Sequence, residues 1–133
     1  MKNPLFSLKS RAFTLVEIMI VVSIIALLAA LAVPGFLRAR KRSQASRVIN
    51  DLRLIDSAVD QYAIENNLTS GITITVPEWS KYLKAGTNLY VTGNDILGNA
   101  YGPVNVDSLP RVPSATYAAL SDVADNTFWS PYN

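Results

Sequence analysis

The sequence predicts an α+β fold, with one helix of unusual length followed by a small domain of short antiparallel strands and helices. Three observations carry that expectation. An apolar run of membrane length, Phe13–Pro34, opens the structured part of the chain. A spacing of three and four then carries apolar residues on to Tyr62. Beyond Gly71 the pattern breaks into short segments punctuated by Gly, Pro and Asn. A chain of 133 residues has room for one membrane helix and one small domain, and no more.

The first element reads FTLVEIMIVVSIIALLAALAVP and holds a single acid, Glu17. A membrane-spanning helix needs roughly 20 apolar residues, whereas the apolar core of a secretory signal has about 7–15. This run exceeds the signal length and leads straight into a helical pattern, so the segment is expected to be retained. A carboxylate at the centre of such a helix costs about 2.5–3.5 kcal/mol. A plain anchor gains nothing from that penalty. Two readings stay open: Glu17 lies about one turn in and reaches headgroup water, or it offers a negative charge to a neighbour.

The second element continues the first. Ala45, Val48, Ile49, Leu52, Ile55, Val59 and Tyr62 form one apolar stripe, with Arg47, Asn50, Asp51, Arg53, Ser57, Asp60 and Gln61 opposite. Asn66-Asn67 before Thr69-Ser70-Gly71 places the end near Glu65–Leu68. From Phe13 to Asn66 the helix has about 54 residues, or roughly 80 Å at 1.5 Å each. Its first half suits a membrane or a bundle, and its second half backs the small domain. Pro34, followed by Gly35, lacks an N–H and should kink or locally open the helix, or simply break it at the membrane surface.

The third region is read piecewise. Ile72–Val76 alternates at period two and predicts a strand. Thr75-Val-Pro-Glu78 has capping-box spacing, predicting a helix over Glu78–Lys84 that stops at Gly86. Leu89–Thr92 and Tyr101–Val106 read as further strands, separated by turn signals at Gly93-Asn-Asp95 and Gly98-Asn99. Ser114–Val123 reads as a helix after Pro110 and Pro113. The aromatic tail, Phe128, Trp129 and Tyr132, is read as a packing seal, which a small domain needs.

Charge is unevenly placed. Lys2, Lys9 and Arg11 precede the apolar run, and Arg38, Arg40, Lys41, Arg42 and Arg47 follow it. From Val48 onward nine acids face four bases, so the formal +2 belongs to the N-terminal third and a nucleic-acid partner is not expected. The segment Arg38–Arg42 reads as a basic flank for anionic headgroups, or as a surface for the acidic half of neighbouring subunits. With no Cys and no His, the chain lacks disulfides, thiol nucleophiles, imidazole bases and the usual zinc ligands. Without a Gly-rich phosphate loop either, the reading is that the protein is not an enzyme.

The string from Phe13 resembles the N-terminal signal of type IV pilins and type II secretion pseudopilins, opening Phe-Thr-Leu-x-Glu. The resemblance implies a pilin-like fold, with a leader of residues 1–12 removed by a prepilin peptidase between Ala12 and Phe13. Phe13 would then carry an N-methyl group. Ala12 departs from the glycine usual before the cut. Thr14, Leu15 and Glu17 fall on the family's opening positions, and Pro34 on its proline. The implied organisation is a membrane or filament-core helix over 13–34, an amphipathic continuation over 35–67 and a globular pilin-like domain over 68–133.

Partners implied by the resemblance are further copies of the chain, other pseudopilins or pilins, the prepilin peptidase, inner-membrane assembly machinery and the lipid bilayer. The implied location is a bacterial inner membrane, crossed once, with the C-terminal domain in the periplasm or outside. Charge does not decide this orientation, since the basic flank after the run outweighs the leader.

Asp95–Tyr101, DILGNAY, resembles the Asp-x-x-Gly-Asn-x-Tyr turn of major pseudopilins and favours a secretion pseudopilin over a type IV pilus subunit. No cofactor is expected, apart from a structural calcium that this resemblance implies and for which Asp122 and Asp125 are the candidates. A reading of another class is a membrane-anchored monomeric binding domain.

Overall fold

The computed structural model describes residues 12–133. The leader, apart from Ala12, therefore lies outside the described residues. The elements are α1 (Leu15–Glu65), β1 (Thr73–Ile74), α2 (Val76–Trp79), α3 (Asn88–Thr92), β2 (Val104–Asn105), α4 (Ser114–Ala119) and α5 (Asn126–Trp129). This is the expected long helix with a small antiparallel sheet and short helices. The chain divides between Leu37 and Arg38 into two compact units.

The first unit contributes the apolar part of α1. Its large apolar residues, Leu15 through Leu37, are all exposed within the single chain. This helix is long and apolar enough to cross a membrane. Pro34 lies inside α1 and does not end it, so the simple helix break is not what is found.

The second unit is organised by the stripe on α1. Ala45, Val48, Leu52, Ile55, Ala58, Val59 and Ala63 are buried. Their side chains feed two core clusters. Ile55, Val59 and Ala63 meet Ile74, Trp79, Leu89, Val104 and Val106, whereas Ala45, Val48 and Leu52 meet Leu120, Ala124, Trp129 and Tyr132. Tyr101 packs against both. The aromatic tail does close the domain: Trp129 is fully buried, Tyr132 nearly so, and Phe128 stacks edge-on to Trp129 at 5.3 Å between centroids.

Several local expectations need correction. The strand over Ile72–Val76 shrinks to Thr73–Ile74, paired with Asn105 and Val104. Thr75 ends it by becoming a helix cap: the Glu78 carboxylate accepts from the Thr75 N–H at 2.7 Å and its hydroxyl at 2.6 Å. Pro77 in the first turn then favours helix over strand. The helix over Glu78–Lys84 begins earlier, at Val76, and gives way to a 3₁₀ turn over Ser80–Tyr82.

Leu89–Thr92 is not a strand but lies within α3. Thr87 caps it, accepting from the Tyr90 N–H at 3.2 Å. Gly93 closes it in the left-handed region at φ 67°, where any Cβ would also collide with the Val76 side chain. Tyr101–Val106 pairs only at Val104–Asn105, because Gly102 (φ 76°) and Pro103 bend the approach. The helix over Ser114–Val123 stops at Ala119.

Candidate assembly site

The N-terminus of α1 is built by two residues of the FTLVE string. Thr14 donates its N–H to Glu17 Oε2 at 2.8 Å and its hydroxyl to the same oxygen at 2.9 Å. The Glu17 N–H returns a bond to Thr14 Oγ1 at 3.2 Å. This is a reciprocal capping box, and it satisfies helix donors that would otherwise face water or lipid. Ala12 and Phe13 precede the helix and are exposed, with Phe13 at 80 %. Both Thr14 bonds fall on Oε2, and among the described residues no donor reaches Oε1. Glu17 is thus oriented by its own chain while one carboxylate oxygen is left open.

The spacing Thr14-x-x-Glu17 is the signal that identifies this box in the sequence. The third reading of Glu17, a helix cap, was legible there and sits beside the other two. It does not discharge the acid: capping bonds hold the carboxylate in place but supply no counter-charge.

The basic flank separates into two pairs. Lys41 Nζ forms an ion pair with Asp122 Oδ2 at 2.8 Å, and the Arg42 guanidinium lies 5.6 Å over the Phe128 ring. Arg38 and Arg40 are exposed. The Lys41 ammonium holds the Asp122 carboxyl below its ordinary range, chiefly through the hydrogen bond. Both partners are about half exposed, so solvent screens the pair and it adds little to stability.

Asp122 and Asp125, the calcium candidates, are therefore each engaged by protein donors. Asp125 caps α5, accepting from the Phe128 N–H at 2.9 Å. Among the described residues no three or more His, Cys, Asp or Glu side chains gather as metal ligands. Calcium takes six to eight oxygens. Two carboxylates already engaged by protein donors fall short of that.

The DILGNAY turn has a different centre. Asp95 is buried and accepts from the Leu97 and Asn99 N–H groups at 2.8 and 2.9 Å. Thr116 of α4 also donates its hydroxyl to Asp95, and Asn99 Nδ2 reaches that hydroxyl at 2.8 Å. Tyr101, at the end of the turn, donates its hydroxyl to Asp51 of α1 at 3.2 Å. The turn thereby ties α4 and α1 together through polar groups that are all satisfied.

Burial raises the Asp51 carboxyl above its ordinary value, reinforced by Asp95 and opposed by the Tyr101 bond and by Arg47. Burial and the Asp51 charge likewise push the Tyr101 hydroxyl up. A raised folded-state value means that Asp51 favours the folded state only when protonated. Its contribution is complete below about pH 3.9, the unfolded value, and is lost as pH rises through the folded value. Asp51→Asn keeps an acceptor for Tyr101 and removes the charge. The variant is expected to melt at or above the wild-type temperature at pH 7, with the difference shrinking toward pH 4. A lower melting temperature at pH 7 would contradict this assignment.

With this geometry established, comparison with known proteins is informative. A family model described as the prokaryotic N-terminal methylation motif matches residues 7–33. The chain carries a prepilin-type N-terminus. Among curated relatives, the type II secretion system core protein G of Pectobacterium carotovorum is 36% identical over 59 residues, covering 44% of this chain and 38% of that protein. The same-named protein of Escherichia coli is also 36% identical over 59 residues, covering 44% and 41%. The type IV major pilin protein PilA of Myxococcus xanthus is 39% identical over 62 residues, covering 47% and 28%.

The match thus spans about two-fifths of the length of the secretion proteins and less of the pilin. No solved structure matches the chain. The prepilin-type N-terminus and these relatives agree with the resemblance read from FTLVE.

Proposed function

We propose that this chain is a structural subunit of a pilus-like filament, of the major-pseudopilin kind found in type II secretion. It is a single-pass inner-membrane protein until assembly. A prepilin peptidase removes residues 1–12 and methylates Phe13, and the inner-membrane machinery then packs the apolar part of α1 against other copies and other pseudopilins. The C-terminal domain faces the periplasm or the exterior. Pro34 and Gly35 supply a point at which α1 can yield during packing.

One observation carries the reading. An exposed apolar helix begins with an oriented carboxylate, Glu17, that has hydrogen-bond donors but, among the described residues, no cation partner. Removal of the leader would create an α-amino group at Phe13 that supplies the missing charge from an adjoining copy. The test is to produce the chain with a secretion or pilus assembly system and to image sheared fractions by electron microscopy. Filaments containing the chain are expected. A chain that stays wholly monomeric in detergent extracts of the membrane contradicts the proposal.

The likeness to the Myxococcus pilin favours a second reading, a type IV pilus subunit. Incorporation into a surface pilus rather than a secretion pseudopilus decides between them. Calcium is an addition to either. The engaged state of Asp122 and Asp125 predicts that chelator leaves the melting temperature unchanged, and a fall of several degrees would restore the ion.

A further inference from the structure

The four cations of the Arg38–Arg42 stretch do not share one environment. Lys41 and Arg42 are taken up by the C-terminal segment, through Asp122 and Phe128. That segment is anchored in the core by Ala124, Trp129 and Tyr132. Arg38 and Arg40 are exposed, and among the described residues neither has a carboxylate within ion-pair distance. Arg38 acts on Asp122 only at longer range.

The placement of the exposed pair says what they face. Arg38 directly follows Phe36 and Leu37, both exposed and apolar. Residues two apart on an α-helix point about 200° apart, so Arg38 and Arg40 leave α1 on opposite sides. A neighbouring protein meets a helix on one side. Phosphates at a bilayer surface surround it.

We infer that the basic stretch is divided by role. Lys41 and Arg42 clamp the C-terminal segment, while Arg38 and Arg40 bind the phosphates of anionic phospholipid headgroups. The inference rests on the membrane-anchored reading of α1 proposed above. It deepens that reading by naming a lipid class and the two residues that select it.

The test uses the full-length chain reconstituted in phosphatidylcholine bilayers, with spin-labelled phosphatidylglycerol and phosphatidylcholine compared as boundary lipids. The wild type is expected to prefer phosphatidylglycerol. Arg38→Gln/Arg40→Gln should lose that preference several-fold, up to about fivefold per guanidinium, with amide exchange across residues 120–132 unchanged. Lys41→Gln/Arg42→Gln should do the converse, keeping the preference and speeding exchange in that segment.

Equal association of both lipids with the wild type overturns the inference, as does an equal loss of preference in the two double variants. If Arg38→Gln/Arg40→Gln impairs filament incorporation with lipid preference intact, the arginines serve acidic surfaces of other copies instead, and the inference also fails. A chain that does not enter bilayers at all contradicts the anchored reading itself, which is a separate result.

Discussion

Glu17→Val is expected to leave membrane insertion intact or improved and to abolish incorporation into filaments. Insertion gains because a carboxylate leaves an apolar helix, a change of about 2.5–3.5 kcal/mol at the helix centre and less near its end. Against this stands the loss of the two bonds that Thr14 gives the Glu17 carboxylate, while the Thr14 hydroxyl can still accept from the residue-17 N–H. Neither effect touches polymerisation directly. In the filament, however, the variant leaves each adjoining amine without its counter-charge in a low-dielectric core. Breaking such a pair costs about 3–5 kcal/mol per contact, repeated at every subunit.

Glu17→Gln separates the two roles. The amide oxygen still accepts from the Thr14 N–H, so the helix start is retained while the charge is gone. Filament yield in the sheared fraction is expected to vanish for both variants. Assembly of Glu17→Gln at wild-type yield would show that Glu17 matters as a cap and not as a charge.

Trp129→Ala is expected to cost about 3–5 kcal/mol, the range for deleting a buried aromatic side chain. Trp129 is fully buried among Ala45, Val48, Leu52, Leu120 and Ala124, with Tyr117 and Phe128 against its faces. It joins the end of the chain to α1. Its removal therefore frees the α5 cap and the Lys41–Asp122 pair as well as leaving a cavity.

Trp129→Phe is the informative control. The indole Nε1 has no hydrogen-bond partner among the described residues, so phenylalanine forfeits no hydrogen bond found there. That variant should cost less than Trp129→Ala, because the ring that remains leaves a smaller cavity. Thermal unfolding of the detergent-solubilised full chain, followed by near-ultraviolet circular dichroism, measures both. Equal melting of Trp129→Ala and wild type would contradict the packing role of the tail.

The long helix was legible because one physical signal, a stripe at spacings of three and four, runs from Ala45 to Tyr62. The stripe lacks Ala58 and Ala63, which are buried in the same cluster as Trp79 and Leu89. Alanine carries little apolar weight in a pattern, so its burial is visible only once its large neighbours are placed.

The small domain was less legible. Leu89-Tyr-Val-Thr92 alternates like a strand, yet the Thr87 cap and the Gly93 terminus make it helical. Local capping outweighed a four-residue alternation. Thr75-x-x-Glu78 has the spacing of a capping pair and forms one, and the same spacing recurs at Thr14 and Glu17. The acid in the apolar run drew attention to charge, while its geometry is first that of a cap. Asp95 was read as part of a turn, but its bond to Thr116 joins residues far apart in sequence, which no local pattern contains.

The pairing proposed for Glu17 needs the amine that processing would create. Mass spectrometry of the N-terminal peptide from membrane-extracted protein tests this most directly. The expected peptide begins at an N-methylated Phe13. A peptide retaining Met1, or one that begins beyond Val33, would contradict the account.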